Sequence, residues 1–145
     1  MTETIQHQIG ALPYRIMNAG SIEILLVTTR GTGRWIVPKG WPMTGMSDSK
    51  AAAQEAYEEA GVLGQVAPRP IGTFLHKKQA DDGDAGARSR VTVYSLRVTS
   101  SLSFWKEANQ RQIGWVTPEH AMEMVQNNEL RALIDSFTGK RRRYA

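Results

Sequence analysis

The run Gln54-Glu55-Ala56-Tyr57-Glu58-Glu59-Ala60-Gly61-Val62 carries three carboxylates at a spacing that could do metal chemistry. Residues at i, i+3 and i+4 share one face of an α-helix. Like charges at i and i+4 weaken an isolated helix, so a cluster of this kind needs a reason. Mg²⁺ prefers oxygen ligands and is commonly held by one or two carboxylates together with substrate phosphates. A solvated acidic face is the ordinary explanation of a bare triplet. The preceding loop, Pro38-Lys39-Gly40-Trp41-Pro42-Met43-Thr44-Gly45, shifts the balance, because its glycines allow backbone geometries that turn carbonyls toward an ion.

A helix must position these groups, and local chemistry supplies one. Ser47, Asp48 and Ser49 are N-cap candidates, and residues 50–60 contain no Gly, Pro or β-branched side chain. Gly61 is suited to the left-handed stop. Ala52, Ala53, Ala56 and Ala60 leave the other sides small enough for close packing. Strands are expected at 22–28 and 35–37, separated by the Gly31-Thr32-Gly33 turn, and again near 71–76, 91–98 and 112–116. Pro118 marks the start of a further helix with Ala121, Met122 and Val125 on its apolar stripe. Leu130, Leu133, Ile134 and Phe137 continue a helical pattern. Strands interleaved with helices imply a sheet covered on both sides.

Loop, helix and glycine stop together resemble a Nudix box, whose pattern is Gly, five residues, Glu, seven residues, then Arg-Glu-apolar-x-Glu-Glu-x-Gly-apolar. Gly40 opens it here, and Glu55, Ala56, Glu58, Glu59, Gly61 and Val62 match. Met46 stands where the first Glu is expected, and Gln54 replaces the Arg that would orient the glutamates. The flanking runs Leu25-Leu26-Val27-Thr28-Thr29-Arg30, Arg34-Trp35-Ile36-Val37-Pro38 and Arg90-Val91-Thr92-Val93-Tyr94 resemble the diphosphoinositol polyphosphate phosphohydrolase branch. So do Phe104-Trp105 and Trp115, and the similarity runs from residue 8 to residue 137.

That resemblance implies an α/β fold, a Nudix-type α/β/α sandwich with a mixed β-sheet. It also implies metal-assisted hydrolysis of a phosphoanhydride. Glu55 and Glu59 would coordinate Mg²⁺ or Mn²⁺ with the Lys39 carbonyl, and Glu58 would be a further acidic group at the metal and the candidate base. Thr28, Thr29, Arg30, Arg34, Gly40, Arg88, Ser89, Arg90 and Arg111 are the implied substrate contacts, since arginine can grip phosphate bidentately. The implied partner is an anionic polyphosphate small molecule, a diphosphoinositol polyphosphate or a diadenosine polyphosphate. A broad nucleoside diphosphate-X pyrophosphatase, an enzyme acting on capped RNA, and a noncatalytic phosphate-ligand binder with a degenerate box stay open as alternatives.

Composition bounds the rest. The 145 residues, 41% of them hydrophobic, suit one domain with a sizeable core, expected over 1–139. There are no cysteines, which excludes disulfides and thiolate chemistry. No apolar run approaches the roughly 20 residues of a membrane span, and residues 1–8 lack a signal-peptide core, so a cytoplasmic location is expected. The three histidines lack zinc-site spacing, and neither a GxSxG elbow nor a Walker loop occurs. Trp35, Trp41, Trp105 and Trp115 are expected mostly in the core, with a place beside a ligand as the other reading of Trp41. Lys140-Arg141-Arg142-Arg143 accounts for the formal charge of +4. The tail 140–145 is expected to be disordered and solvated. Attraction to RNA, lipid or polyphosphate is the competing reading, although no RNA-binding motif with stacking aromatics accompanies it. The loop 76–90 carries Asp81, Asp82, Gly83, Asp84 and Gly86 at its tip, with Lys77, Lys78, Arg88 and Arg90 flanking it.

Overall fold

The computed structural model describes residues 4–78 and 87–144, with side chains through residue 141. The aspartate-rich tip of the 76–90 loop therefore lies outside the described residues. In chain order the elements are β1 (Ile5–Ile16), β2 (Ile22–Thr28), β3 (Trp35–Ile36), β4 (Lys39–Gly40), α1 (Asp48–Ala60), β5 (Val62–Val66), β6 (Gly72–Lys77), β7 (Arg88–Ser101), β8 (Ile113–Val116), α2 (Pro118–Met124) and α3 (Asn128–Tyr144).

The strands form one mixed sheet in the order β3-β2-β1-β7-β5, with β4 added to β1, β6 to β7 and β8 to β2. Its centre is the parallel ladder of β1 on β7, which runs from Ile5 opposite Arg88 to Tyr14 opposite Arg97. The other pairings are antiparallel. Residues 8–14 of β1 and 24–28 of β2 are buried without alternation, as expected of strands covered on both faces. Helix α1 packs on β1, β4, β5 and β7, while α2 and α3 pack on each other and on β2 and β6. The result is the mixed-sheet sandwich the sequence implied. Ile9, Leu12, Ile24, Leu25, Leu26, Phe74 and Leu96 are almost fully enclosed, and each such side chain contributes roughly 1.5–3 kcal/mol. A rigid centre of this kind can hold short functional strands such as β4 in place.

Three features bear on the sequence-based expectations. Strand β1 carries Gly10 and Pro13, which demote a run as strand, yet it is central. Gly10 suits this close approach, because an added Cβ would sit tightly against the Pro38 carbonyl and Val91. Helix α3 continues to Tyr144, and the Arg141 guanidinium stacks over Tyr14 at 4.5 Å and donates to its hydroxyl at 3.2 Å. Finally, Trp35 and Trp115 pack half-buried against the core, as expected, while Trp41 is 49% exposed.

Candidate active site

Helix α1 begins and ends where its residues dictate. The Ser47 hydroxyl accepts a hydrogen bond from the Lys50 N–H, and Gly61 takes the left-handed conformation with its N–H donating to the Tyr57 carbonyl. The last carbonyls of a helix need outside donors, and the segment after β7 provides them. Trp105 Nε1 donates to the Glu59 carbonyl at 3.1 Å, the Glu107 N–H to that of Glu58 at 3.0 Å, and the Leu102 N–H to that of Gly61 at 2.8 Å. A Cβ on Gly61 would collide with the Trp105 ring. The carboxylate-bearing turn is thereby locked in place.

Glu55 and Glu59 face a cavity of about 270 Å³, while Glu58 is not among its lining residues. The lining includes Gln8, Thr29, Arg30, Lys39, Gly40, Trp41, His76, Lys78, Glu107 and Arg111. Glu59 is buried, with only 3% of its surface exposed. Burial pushes its carboxyl up to about 9, assisted by the neighbouring Glu55 and opposed by Arg111. Burial also raises Glu55, with Glu58 and Glu107 adding to it, while a hydrogen bond from Glu59 opposes the rise. Glu58 is held below the usual carboxylate range by the Gln54 amide and by Lys106, which donate at 2.9 and 3.1 Å.

Of the substrate contacts expected from the sequence, Thr29, Arg30, Gly40 and Arg111 line this cavity. Arg30 donates to Gln110 at 2.9 Å. Thr28 is buried behind it, accepting from the Gln112 N–H through its hydroxyl and from Arg111 through its carbonyl. The structure does not bring the others there. Arg34 borders an adjoining cavity that shares Ile36 and His76 with the first and is also lined by Trp35, Lys77 and Asn127. Ser89 is buried in the sheet, Arg90 pairs with Glu129 of α3 at 3.3 Å, and Arg88 lies outside the cavity lining. Strand pairing of β7 with both β1 and β6 dictates which way these side chains leave the sheet, and loop position alone cannot show it. Gln8, His76 and Glu107 were not anticipated as site residues. For Glu107 the available signal was its i, i+4 spacing to Arg111.

The donor set fits a hard divalent cation. A Cβ on Gly40 would occupy the space of the Glu55 carboxylate, so β4 brings its backbone directly against that group. Among the described residues no three His, Asp or Glu side chains form a ready ligand cluster. Two carboxylates and the Lys39 carbonyl would instead leave positions for substrate oxygens and water, the pattern that suits Mg²⁺.

Fold and site together define an α/β sandwich that presents an acidic helix to a cation-rimmed pocket, an arrangement suited to phosphate chemistry. The NUDIX domain family model matches residues 7–137, and the chain belongs to this family of hydrolases, whose members generally use divalent metal ions. Among its relatives is Nudix hydrolase 21, chloroplastic, of Arabidopsis thaliana, 30% identical over 92% of this chain and 66% of that protein. Another is diphosphoinositol polyphosphate phosphohydrolase 3-alpha of Homo sapiens, 36% identical over 72% of this chain and 60% of that protein. The chain thus spans about two thirds of the length of the curated relatives it matches. The crystal structure of a C. elegans Ap4A hydrolase binary complex superposes with a TM-score of 0.67 at 21% identity, covering 93% of this chain and 96% of that one. It supports the fold. Among the described residues no helix is long and apolar enough to cross a membrane.

Proposed function

We propose that this chain hydrolyses a phosphoanhydride bond in a small anionic polyphosphate, with Mg²⁺ or Mn²⁺ as cofactor, in the cytoplasm. Diphosphoinositol polyphosphates and diadenosine polyphosphates are the leading substrate classes, supported by the diphosphoinositol-cleaving relative and by the flanking motifs. The observation that carries the reading is the Glu55–Glu59 pair, two carboxyls that line one cavity together with Arg30, Lys39, Lys78 and Arg111.

Glu55, Glu59 and the Lys39 carbonyl would hold the cation. When bound, it supplies Lewis-acid activation of water and neutralises charge developing on the phosphoryl oxygens. Arg30 and Lys78 would meet the polyphosphate within the same cavity, which the exposed Trp41 also lines. We place the proton acceptor at Glu55 rather than at Glu58. Glu55 lines the cavity, whereas Glu58 lies outside its lining and is engaged by Gln54 and Lys106.

The test is phosphate and nucleotide release from a panel containing a diphosphoinositol polyphosphate, diadenosine tetraphosphate, a nucleoside diphosphate-sugar and capped RNA, each with Mg²⁺ and with Mn²⁺. Preferential metal-dependent cleavage of one of the first two is the expected result. A preference for the nucleoside diphosphate-sugar or for capped RNA would move the chain to another substrate class. Saturable binding without product in either metal would make it a binder.

A further inference from the structure

The segment 102–112, between β7 and β8, is clamped to the end of α1 by the three donors described above and to the end of β2 by Arg111 and Gln112. Within the clamp, the Arg111 guanidinium is largely buried. Its Nε donates to Glu107 at 2.7 Å and lies 3.7 Å from Glu59, and its Nη1 donates to the Thr28 carbonyl at 3.1 Å. Those distances rank the partners. Glu107 and Thr28 hold the guanidinium by hydrogen bonds, while Glu59 meets its charge at ion-pair range only.

We infer that Arg111 is a built-in counter-ion for the Glu55–Glu59 pair, parked by Glu107, and that an entering divalent cation takes over its role. The inference rests on the proposed cation site at those glutamates and goes beyond a substrate-contact role for Arg111. Two carboxylates lining one cavity, Glu59 buried and Glu55 half-buried, repel, and an adjacent guanidinium offsets that repulsion. The same guanidinium opposes a second cation at the same oxygens. Glu107 is a positioning residue. By holding Nε it keeps Arg111 from closing onto Glu59, where it would compete fully with the metal. The Glu107–Arg111 pair therefore sets how readily the site exchanges its own positive charge for an incoming ion.

The experiment is calorimetric titration of substrate-free protein with MnCl₂ for wild type, Arg111→Met, Glu107→Gln, the double variant and Arg111→Lys, with circular dichroism confirming the fold of each. Arg111→Met should tighten Mn²⁺ binding about tenfold, the scale of removing one like charge a few ångströms away. Arg111→Lys should return the affinity toward wild type. Glu107→Gln should weaken binding in both backgrounds, because Glu107 also lines the cavity, but by severalfold more when Arg111 is present than when it is absent, a non-additivity that reports their coupling. Unchanged or weaker binding by Arg111→Met, or additive effects around the cycle, would overturn the inference and leave the cation site standing. Should Arg111→Met fail to fold, Glu107→Gln and Arg111→Lys still decide: failure of Glu107→Gln to weaken binding would overturn the inference. A folded wild type that binds no Mn²⁺ would remove the cation site and the inference with it.

Discussion

The two flanks of α1 show how differently one helix can treat neighbouring residues. On one flank Glu55 and Glu59 enter the polar cavity. On the other, Ala53, Gln54 and Tyr57 meet Val62, Leu63, Val66 and Leu96 across an apolar groove that Met46 also lines. Both departures from the box pattern, Met46 and Gln54, fall on this second flank. Gln54 takes over as a partner of Glu58, and Lys106 supplies the positive charge. Glu58 and Glu59 adjoin in sequence, yet one is held low by donors at the surface and the other is raised by burial. A substitution in the box thus threatens the chemistry only where the backbone carries it to the cavity.

That contrast can be broken most severely at Glu59. Glu59→Gln should lower turnover by roughly two orders of magnitude or more, the scale of losing a group that acts on developing charge, while circular dichroism stays native. Near-normal metal-dependent hydrolysis would remove the ligand assignment. Gly40→Ala comes next. Its Cβ must displace the Glu55 carboxylate, so metal-dependent activity should fall by about tenfold or more with the fold retained. Unchanged kinetics would show that β4 does not position Glu55.

The flanks should also separate in their response to pH. Glu59 has a folded pKa of about 9 against an ordinary value of 4.5, so between those limits the folded state binds more protons than the unfolded one. The stability it contributes is fully present below pH 4.5 and is lost as pH rises toward about 9. The cation-free protein should therefore melt lower at pH 8 than at pH 6. Mg²⁺ or Mn²⁺ should raise the melting temperature more at pH 8, because the ion competes with protons for the same oxygens. Glu59→Gln should flatten the cation-free profile. A wild-type profile that is flat, or that rises, over this range would contradict the buried-pair electrostatics.

The smallest effect belongs to the groove. Met46→Glu should leave kcat/KM within about twofold of wild type, as expected for a surface side chain away from the reacting groups. A large loss of metal affinity would show that this flank communicates with the cavity after all.

How much of this was legible beforehand varied with the range of the interactions involved. Helix α1, its Ser47 cap and its Gly61 stop came through clearly, as did β2, which spans the anticipated 22–28. Strand β1 did not, because Gly10 and Pro13 break the local signal while its partner β7 lies some eighty residues away. β5 was missed too. It is short, and its Gly64 is needed where an added Cβ would strike the Arg97 backbone at a register shift. Glu107 and His76 joined the site through distant segments with no motif of their own.

Residue types and spacing by themselves determined the family, the acidic helix and the presence of Glu55 and Glu59 on one face, because those depend on contacts within a few turns of chain. Only the tertiary structure decided that Glu58 turns to Lys106, that Arg34 and Arg90 leave the pocket and that Arg111 comes to rest between Glu107 and Glu59. Those outcomes depend on which strands lie side by side and which loop closes over the helix end, and both are settled by long-range packing.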